Sequence, residues 1–304
     1  MSSDAAALAT TLKFQLGVRS LGGVRRRLVR ISVPLAEAIA GVPPTLPPLD
    51  QEADGIFVRG LPAECVDRLQ ARSGLHAVIR QRYERRYADL NGGFDAYLAG
   101  FSSKSRATLK RKLRRFAEAS GGALDVRGFH QPEQVDAFCR DARALSALTY
   151  QERLLDAGLP ADVAADMRTR AGRDAVRAWL LYLEGRPVAY LYAPADGDTL
   201  LYAHLGYDPA FADLSPGTVL QTEAMRLLMA EGRFRWFDFT EGDGQHKRQF
   251  ATGSVASVDL LLLRPTLANR SVAAALTTFD TGAALAKRSL QRAGGAGLVR
   301  RLRR

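Results

Sequence analysis

Residues 175–231 read AVRAWLLYLEGRPVAYLYAPADGDTLLYAHLGYDPAFADLSPGTVLQTEAMRLLMAE, and the fold follows from this stretch. Ala175–Leu183 and Pro187–Ala193 are apolar runs joined by Glu184-Gly185-Arg186, a hairpin turn. Ala195-Asp196-Gly197-Asp198 makes a second turn into Thr199–Leu205, so three successive strands predict an antiparallel meander. Pro216–Glu231 is punctuated as a helix, with Ser215 as N-cap, Pro216 at the first helical position and Gly232 just past the end. Phe234–Thr240 and Val255–Leu263 predict two further strands. Strands that enclose a helix in this order describe an α/β fold with a mixed α+β sheet.

Upstream, Ser102–Ala119 predicts a helix: Leu109, Leu113 and Phe116 form one apolar stripe on an otherwise basic surface. Ser102 or Ser103 caps its start, and Gly121 and Gly122 end it. After a short strand at Ala123–Gly128, a second helix carries Val135, Phe138, Cys139, Ala142, Leu145 and Leu148 on one face. Residues 1–100 read as a supporting α/β subdomain, broken by the Pro-rich loop Gly41–Asp50 and without a catalytic constellation. The expected division is 1–100, 101–264 and a basic tail, 265–304.

The chain has 304 residues, 47% hydrophobic and 25% charged, with a net charge of +11. Fourteen basic residues sit in two acid-free clusters. One runs through Lys104, Arg106, Lys110, Arg111, Lys112, Arg114 and Arg115; the other through Lys287, Arg288, Arg292, Arg300, Arg301, Arg303 and Arg304. The rest of the chain is therefore slightly acidic, which argues against a protein whose whole face binds nucleic acid. The terminal cluster suits a solvated tail, or contact with a membrane surface or a synthase complex. No apolar run reaches the ~18–20 residues of a membrane span. Two cysteines and the absence of a signal-like start predict a cytoplasmic protein with reduced thiols, with peripheral attachment at the inner membrane as an extension through the tail. The four scattered histidines form no zinc motif, so no metal is expected.

The opening turn at Asp213–Leu220 is the candidate ligand site. First-turn N–H groups lack intrahelical partners, and the helix dipole makes that end positive. Proline donates nothing, so the available amides are those of Ser215, Gly217, Thr218 and Val219, and Gly217 lets a phosphate approach closely. An ordinary capped helix would look the same. On the strands, alternation puts Tyr202 with His204 on one face and Trp236 with Asp238 and Thr240 on another.

Four blocks carry a resemblance: FSSKSRATLKRKLRRFAE (101–118), LEGRPVAYLY (183–192), LYAHLGYDPAFADLSPGTVLQTEAM (201–225) and GRFRWFDFTEGDGQHKRQFAT (232–252). Over roughly residues 80–255 the chain resembles the GNAT acyltransferase superfamily, and more closely its branch associated with cellulose and exopolysaccharide biosynthesis. The resemblance implies a GNAT-like fold with a CoA-binding helix and a splayed following strand. It implies acetyl-CoA or another acyl-CoA as co-substrate, and a small-molecule or saccharide acceptor. Carried over by position, Leu205 and Gly206 would flank the pantetheine arm, with Ser215, Gly217, Thr218 and Val219 at the pyrophosphate. The superfamily's Gln/Arg-x-x-Gly-x-Gly/Ala loop is not intact here, whichever glycine Gly217 is taken to match.

If the strands splay as in the resembled fold, His204, Asp238 and Glu241 line the acceptor cleft, with neutral His204 as a base. The residues equally allow His204 as a half-buried strand residue and Asp238 as a brace for the Gly242–Gly244 turn. His246 occupies the position of the family's tyrosine, a candidate acid. Lys247 matches the following lysine, as a contact for phosphate or as a surface residue. The element order also resembles Fem-type aminoacyltransferases, which use aminoacyl-tRNA and duplicate the core, so residues 1–100 would be a degenerate first copy. A catalytically silent GNAT-like scaffold is the third reading.

Overall fold

The computed structural model describes residues 7–16, 19–148, 159–160, 162–242 and 244–292. The chain runs through β1 (Leu8–Leu16), β2 (Arg19–Ser32), α1 (Leu35–Ile39), β3 (Gly55–Pro62), α2 (Val66–Ser73), β4 (His76–Asp89), α3 (Gly93–Ala99) and α4 (Ser103–Ala119). It continues with β5 (Asp125–Phe129), α5 (Val135–Ser146), α6 (Val163–Ala171), β6 (Val176–Leu183), β7 (Arg186–Asp196), β8 (Thr199–Leu201) and β9 (His204–Tyr207). Helix α7 (Pro216–Glu231), β10 (Trp236–Asp238), α8 (Gln245–Phe250), β11 (Gly253–Leu263) and α9 (Leu267–Arg292) complete it. Two compact units result: residues 1–84 with 255–304, and residues 85–254.

In the first unit, β1 pairs antiparallel with β2, β2 parallel with β3, and β3 antiparallel with β11. The sequence reading divided the chain at 100 and 264, whereas the units divide at 84 and 254. The reason is pairing: residues 257–263 of β11 hydrogen-bond to β3. The segment expected as a tail opens with α9, whose Val272, Ala273 and Leu276 are buried with Leu12, Leu28 and Leu261. Among the terminal basic residues, the side chains of Lys287, Arg288 and Arg292 and all of Arg300, Arg301, Arg303 and Arg304 lie outside the described residues.

In the second unit, β6 and β7 pair antiparallel as the first two strands of the expected meander, and β5 adds to the far side of β6, also antiparallel. Glu184 and Gly185 both take positive φ (51° and 78°), as a two-residue hairpin turn requires. Strands β6 and β7 are covered on both faces, which explains their nearly continuous apolar sequence. Trp179, Leu181, Ala189 and Leu191 pack with α3, α4 and α7; Ala178, Leu180, Tyr190 and Tyr192 pack with α5 and α6. Helix α4 starts as predicted, with Ser102 Oγ accepting the Ser105 N–H at 3.1 Å. Cys139 is a core residue, and burial raises its thiol pKa.

The expected single strand Thr199–Leu205 is in fact two. The Tyr202 N–H donates to Asp238 O at 2.8 Å, but the Ala203 N–H turns away to Tyr192 O at 3.3 Å. Strand β8 therefore runs parallel to β10, while β9 pairs with β7 alone. From Tyr202 onward β9 and β10 diverge, and the gap between them is where the site forms. This is a mixed sheet, as the element order predicts, with the splayed strands that the resemblance implies.

Candidate active site

A cavity of about 430 Å³ occupies the gap, lined by Tyr202, Leu205, Gly206, Tyr207, Pro209, Gly217, Thr218, Gln221, His246 and Phe250. Strand register decides which side chains face it. Leu205 opposes Leu191 and Tyr207 opposes Ala189, so both point toward α7. Their atoms lie 3.1 and 3.2 Å from where a Cβ on Gly217 would stand, so only glycine fits without displacing them. Gly206 opposes Tyr190, whose ring lies 2.4 Å from the position of its missing Cβ. That glycine is thus required for packing as well as for lining the cavity.

The helix end supplies fewer amides than the sequence predicts. Ser215 occupies the N-cap position but is left-handed (φ 55°, ψ 46°), and its side chain does not cap. Its N–H donates to Ala212 O at 2.9 Å, while its carbonyl accepts from Thr218 (3.0 Å) and Val219 (3.1 Å). The left-handed turn thus consumes three of the four expected donors. The Gly217 N–H has no partner among the described residues. Beside it, Lys112 Nζ reaches from α4 to within 3.2 Å of Thr218 Oγ1. Burial, then repulsion from Arg111, lowers the Lys112 pKa. The remaining exposed cations of α4 (Lys104, Lys110, Arg111, Arg114 and Arg115) form a solvated face. One N–H, one hydroxyl and one ammonium therefore converge where an anion can bind.

Of the four candidate catalytic side chains, only His246 reaches the cavity. Its ring lies 5.6 Å from that of Tyr202, and packing together with the Lys247 ammonium lowers its pKa. His204 points to the opposite face of β9 and stacks on Tyr192 (6.2 Å, 25°), so it does not share a face with Tyr202. The break at Ala203 reverses the alternation assumed for a continuous strand. Asp238 is 0% exposed. Its Oδ2 accepts from Arg85 Nε (3.0 Å) and Nη2 (2.6 Å), and its Oδ1 accepts the N–H of left-handed Thr240 at 2.8 Å. This carboxylate braces the turn and does not face the cleft. Glu241 is exposed on the same turn and contributes its backbone oxygen to Lys247.

Lys247 is structural too, at 9% exposure: its Nζ donates to Phe239 O at 2.6 Å and to Glu241 O. Burial lowers its pKa, against the opposing pull of Glu241 and Asp238. It does not serve as the phosphate contact expected of it.

Tyr202 and Gln221 in the cavity wall, and Lys112 beside it, were not assigned from sequence. Tyr202 packs against Phe237, Phe239 and His246, and burial raises the pKa of its phenol. Lys112 was one of seven cations with nothing to distinguish it. Gln221 lies four residues after Gly217 on α7, a spacing that puts both on one face. The first unit has a second cavity of about 490 Å³, lined by Pro44, Leu46, Pro47, Leu69, Arg72 and Arg264 among others, with no imidazole or carboxylate in its wall. Among the described residues no group of three or more His, Cys, Asp or Glu is placed to hold a metal, and no helix is long and apolar enough to cross a membrane.

Residues 103–248 match the model of a family described as an acetyltransferase (GNAT) domain. Among solved structures, the chain is similar to FemX at 13% identity over 84% of this chain and 88% of that one, with a TM-score of 0.52. It is similar at 14% identity to the C-terminal domain of a protein from Agrobacterium fabrum described as a lysylphosphatidylglycerol synthetase. That likeness covers 75% of this chain and 72% of the other, with a TM-score of 0.51. No curated protein sequence matches the chain. Identities this low show the fold; the family match supports an acyltransferase enzyme with a GNAT-type domain.

Proposed function

We propose that the protein transfers an acyl group from acyl-CoA, with acetyl-CoA as the simplest donor, directly to an amine or hydroxyl of a saccharide-related acceptor. The observation that carries this reading is the meeting of Lys112 with Thr218, beside the open Gly217 N–H, at a cavity that Gly217 and Thr218 line together with Tyr202 and His246. A carrier with a diphosphate at one end and a thioester at the other suits such a site. The resemblance of the blocks at 183–192, 201–225 and 232–252 to the branch associated with exopolysaccharide biosynthesis supports the acceptor class.

Direct transfer forms a carbon–nitrogen or carbon–oxygen bond as the carbon–sulfur bond breaks. The acceptor must lose a proton, and the departing thiolate must gain one. His246 is held neutral near pH 7, so it suits the first task. Tyr202, held protonated by burial, suits the second, or donates to the developing oxyanion. Thiol release from acetyl-CoA with a panel of amino sugars tests the reading: acceptor-dependent release supports it, and none with any amine or hydroxyl removes it.

An aminoacyl donor carried by tRNA is the second reading, favoured by the basic face of α4 beside the anion site and by the fold shared with FemX. Selective stabilisation by aminoacyl-tRNA, with no response to CoA, would establish it instead. A silent scaffold, docking a partner complex or membrane through the basic terminus, would respond to neither.

A further inference from the structure

Gln221 is 2% exposed, and neither its Oε1 nor its Nε2 has a hydrogen-bond partner among the described residues. It nevertheless lines the cavity with Tyr202, Leu205 and His246. Buried polar groups are almost always paired, because an unpaired one loses its hydration and gains nothing in return. A carboxamide with neither end paired, on a residue that lines a cavity, marks a place where a ligand completes the bonds.

We infer that Gln221 recognises an amide group in the arm of the donor substrate, Oε1 accepting the amide N–H and Nε2 donating to the amide carbonyl. The chemistry of the wall selects this class. A carboxamide offers one acceptor and one donor side by side, which a second amide matches. A phosphate or carboxylate would satisfy Nε2 but set negative charge against Oε1, and a hydrocarbon chain would satisfy neither. Gln221 stands one helical turn, about 5–6 Å along α7, from Gly217. Leu205 and Phe250 line the same space, so the segment passing here is uncharged, with the anion held one turn away by Lys112. This inference rests on the proposed function and adds a side chain that selects amide-bearing carriers.

The test compares pantetheine with its analogue in which ester oxygens replace the amide N–H groups, by calorimetry on the full chain and on Q221M. Wild type should bind the amide at least tenfold more tightly, and Q221M should lose most of that difference. The free Q221M protein should melt about 2–4 °C higher, since a buried unpaired group is gone; Q221L replaces it if Q221M does not fold. Retention of the amide preference in the variant, its absence in wild type, or a lower melting temperature for free Q221M overturns the inference. If CoA binds normally and Gln221 has no effect, this inference alone falls. If wild type binds neither CoA nor pantetheine, the proposed function falls with it.

Discussion

Lys112 on α4 and Thr218 on α7 meet at 3.2 Å, Nζ to Oγ1, although 106 residues separate them in the chain. This contact places one ammonium at a helix end whose one open amide, among the described residues, is that of Gly217. Lys112→Met should therefore weaken CoA binding about 10- to 100-fold, the range of a lost charge-assisted contact. Pantetheine, which has no diphosphate, should bind both proteins alike. Equal CoA affinity in the variant would show that phosphate is held elsewhere.

His246 supplies a second expectation. Burial and the Lys247 ammonium both disfavour its protonation. The basic form therefore persists below the ordinary imidazole value near 6.5, and the acid limb of kcat/KM should lie below that pH. His246→Gln should lower kcat by about 10²- to 10⁴-fold and remove that limb, with CoA affinity little changed. An unchanged pH profile in the variant would take His246 out of the chemistry.

The Arg85–Asp238 pair should behave as structure, not as catalysis. Removing one partner of a buried pair costs about 3–5 kcal/mol, so Asp238→Ala should lower stability sharply. A double variant, Arg85→Met with Asp238→Leu, should recover much of it, as a buried pair replaced by apolar groups often does. Denaturant melts of the three proteins check this. A stable but inactive Asp238→Ala would return the carboxylate to the active site.

His204 gives a pH-dependent stability with a definite sign. Its folded pKa is depressed by burial, so the unfolded chain binds the proton more readily. Stability is full above the unfolded value near 6.5 and is lost as pH falls from there toward the folded value. His204→Phe keeps a ring against Tyr192 and should flatten the loss between pH 7 and 5, with turnover largely preserved. A large drop in kcat would contradict its placement on the far face of β9.

Periodicity and punctuation exposed much of the fold. The turn at Glu184-Gly185, the cap at Ser102 and the Pro216/Gly232 bracket all act locally, so a short window of residues contains the cause. The site was less legible because its geometry depends on long-range pairing. Whether Tyr202 and His204 share a face depends on where β8 leaves β10, which the Tyr202–Asp238 and Ala203–Tyr192 hydrogen bonds decide. Likewise, nothing near Ser215 announces a left-handed cap that consumes three amides. Lys112 and Gln221 became distinguishable from other polar helix residues only when α4 and α7 were set against the cavity.

The most direct measurement is a thermal-shift titration of the full chain with CoA, alongside aminoacyl-tRNA and buffer. The account predicts a melting temperature that climbs with the logarithm of CoA concentration above its Kd, and no comparable rise with aminoacyl-tRNA. A flat response to CoA, whether or not aminoacyl-tRNA stabilises the protein, would contradict it.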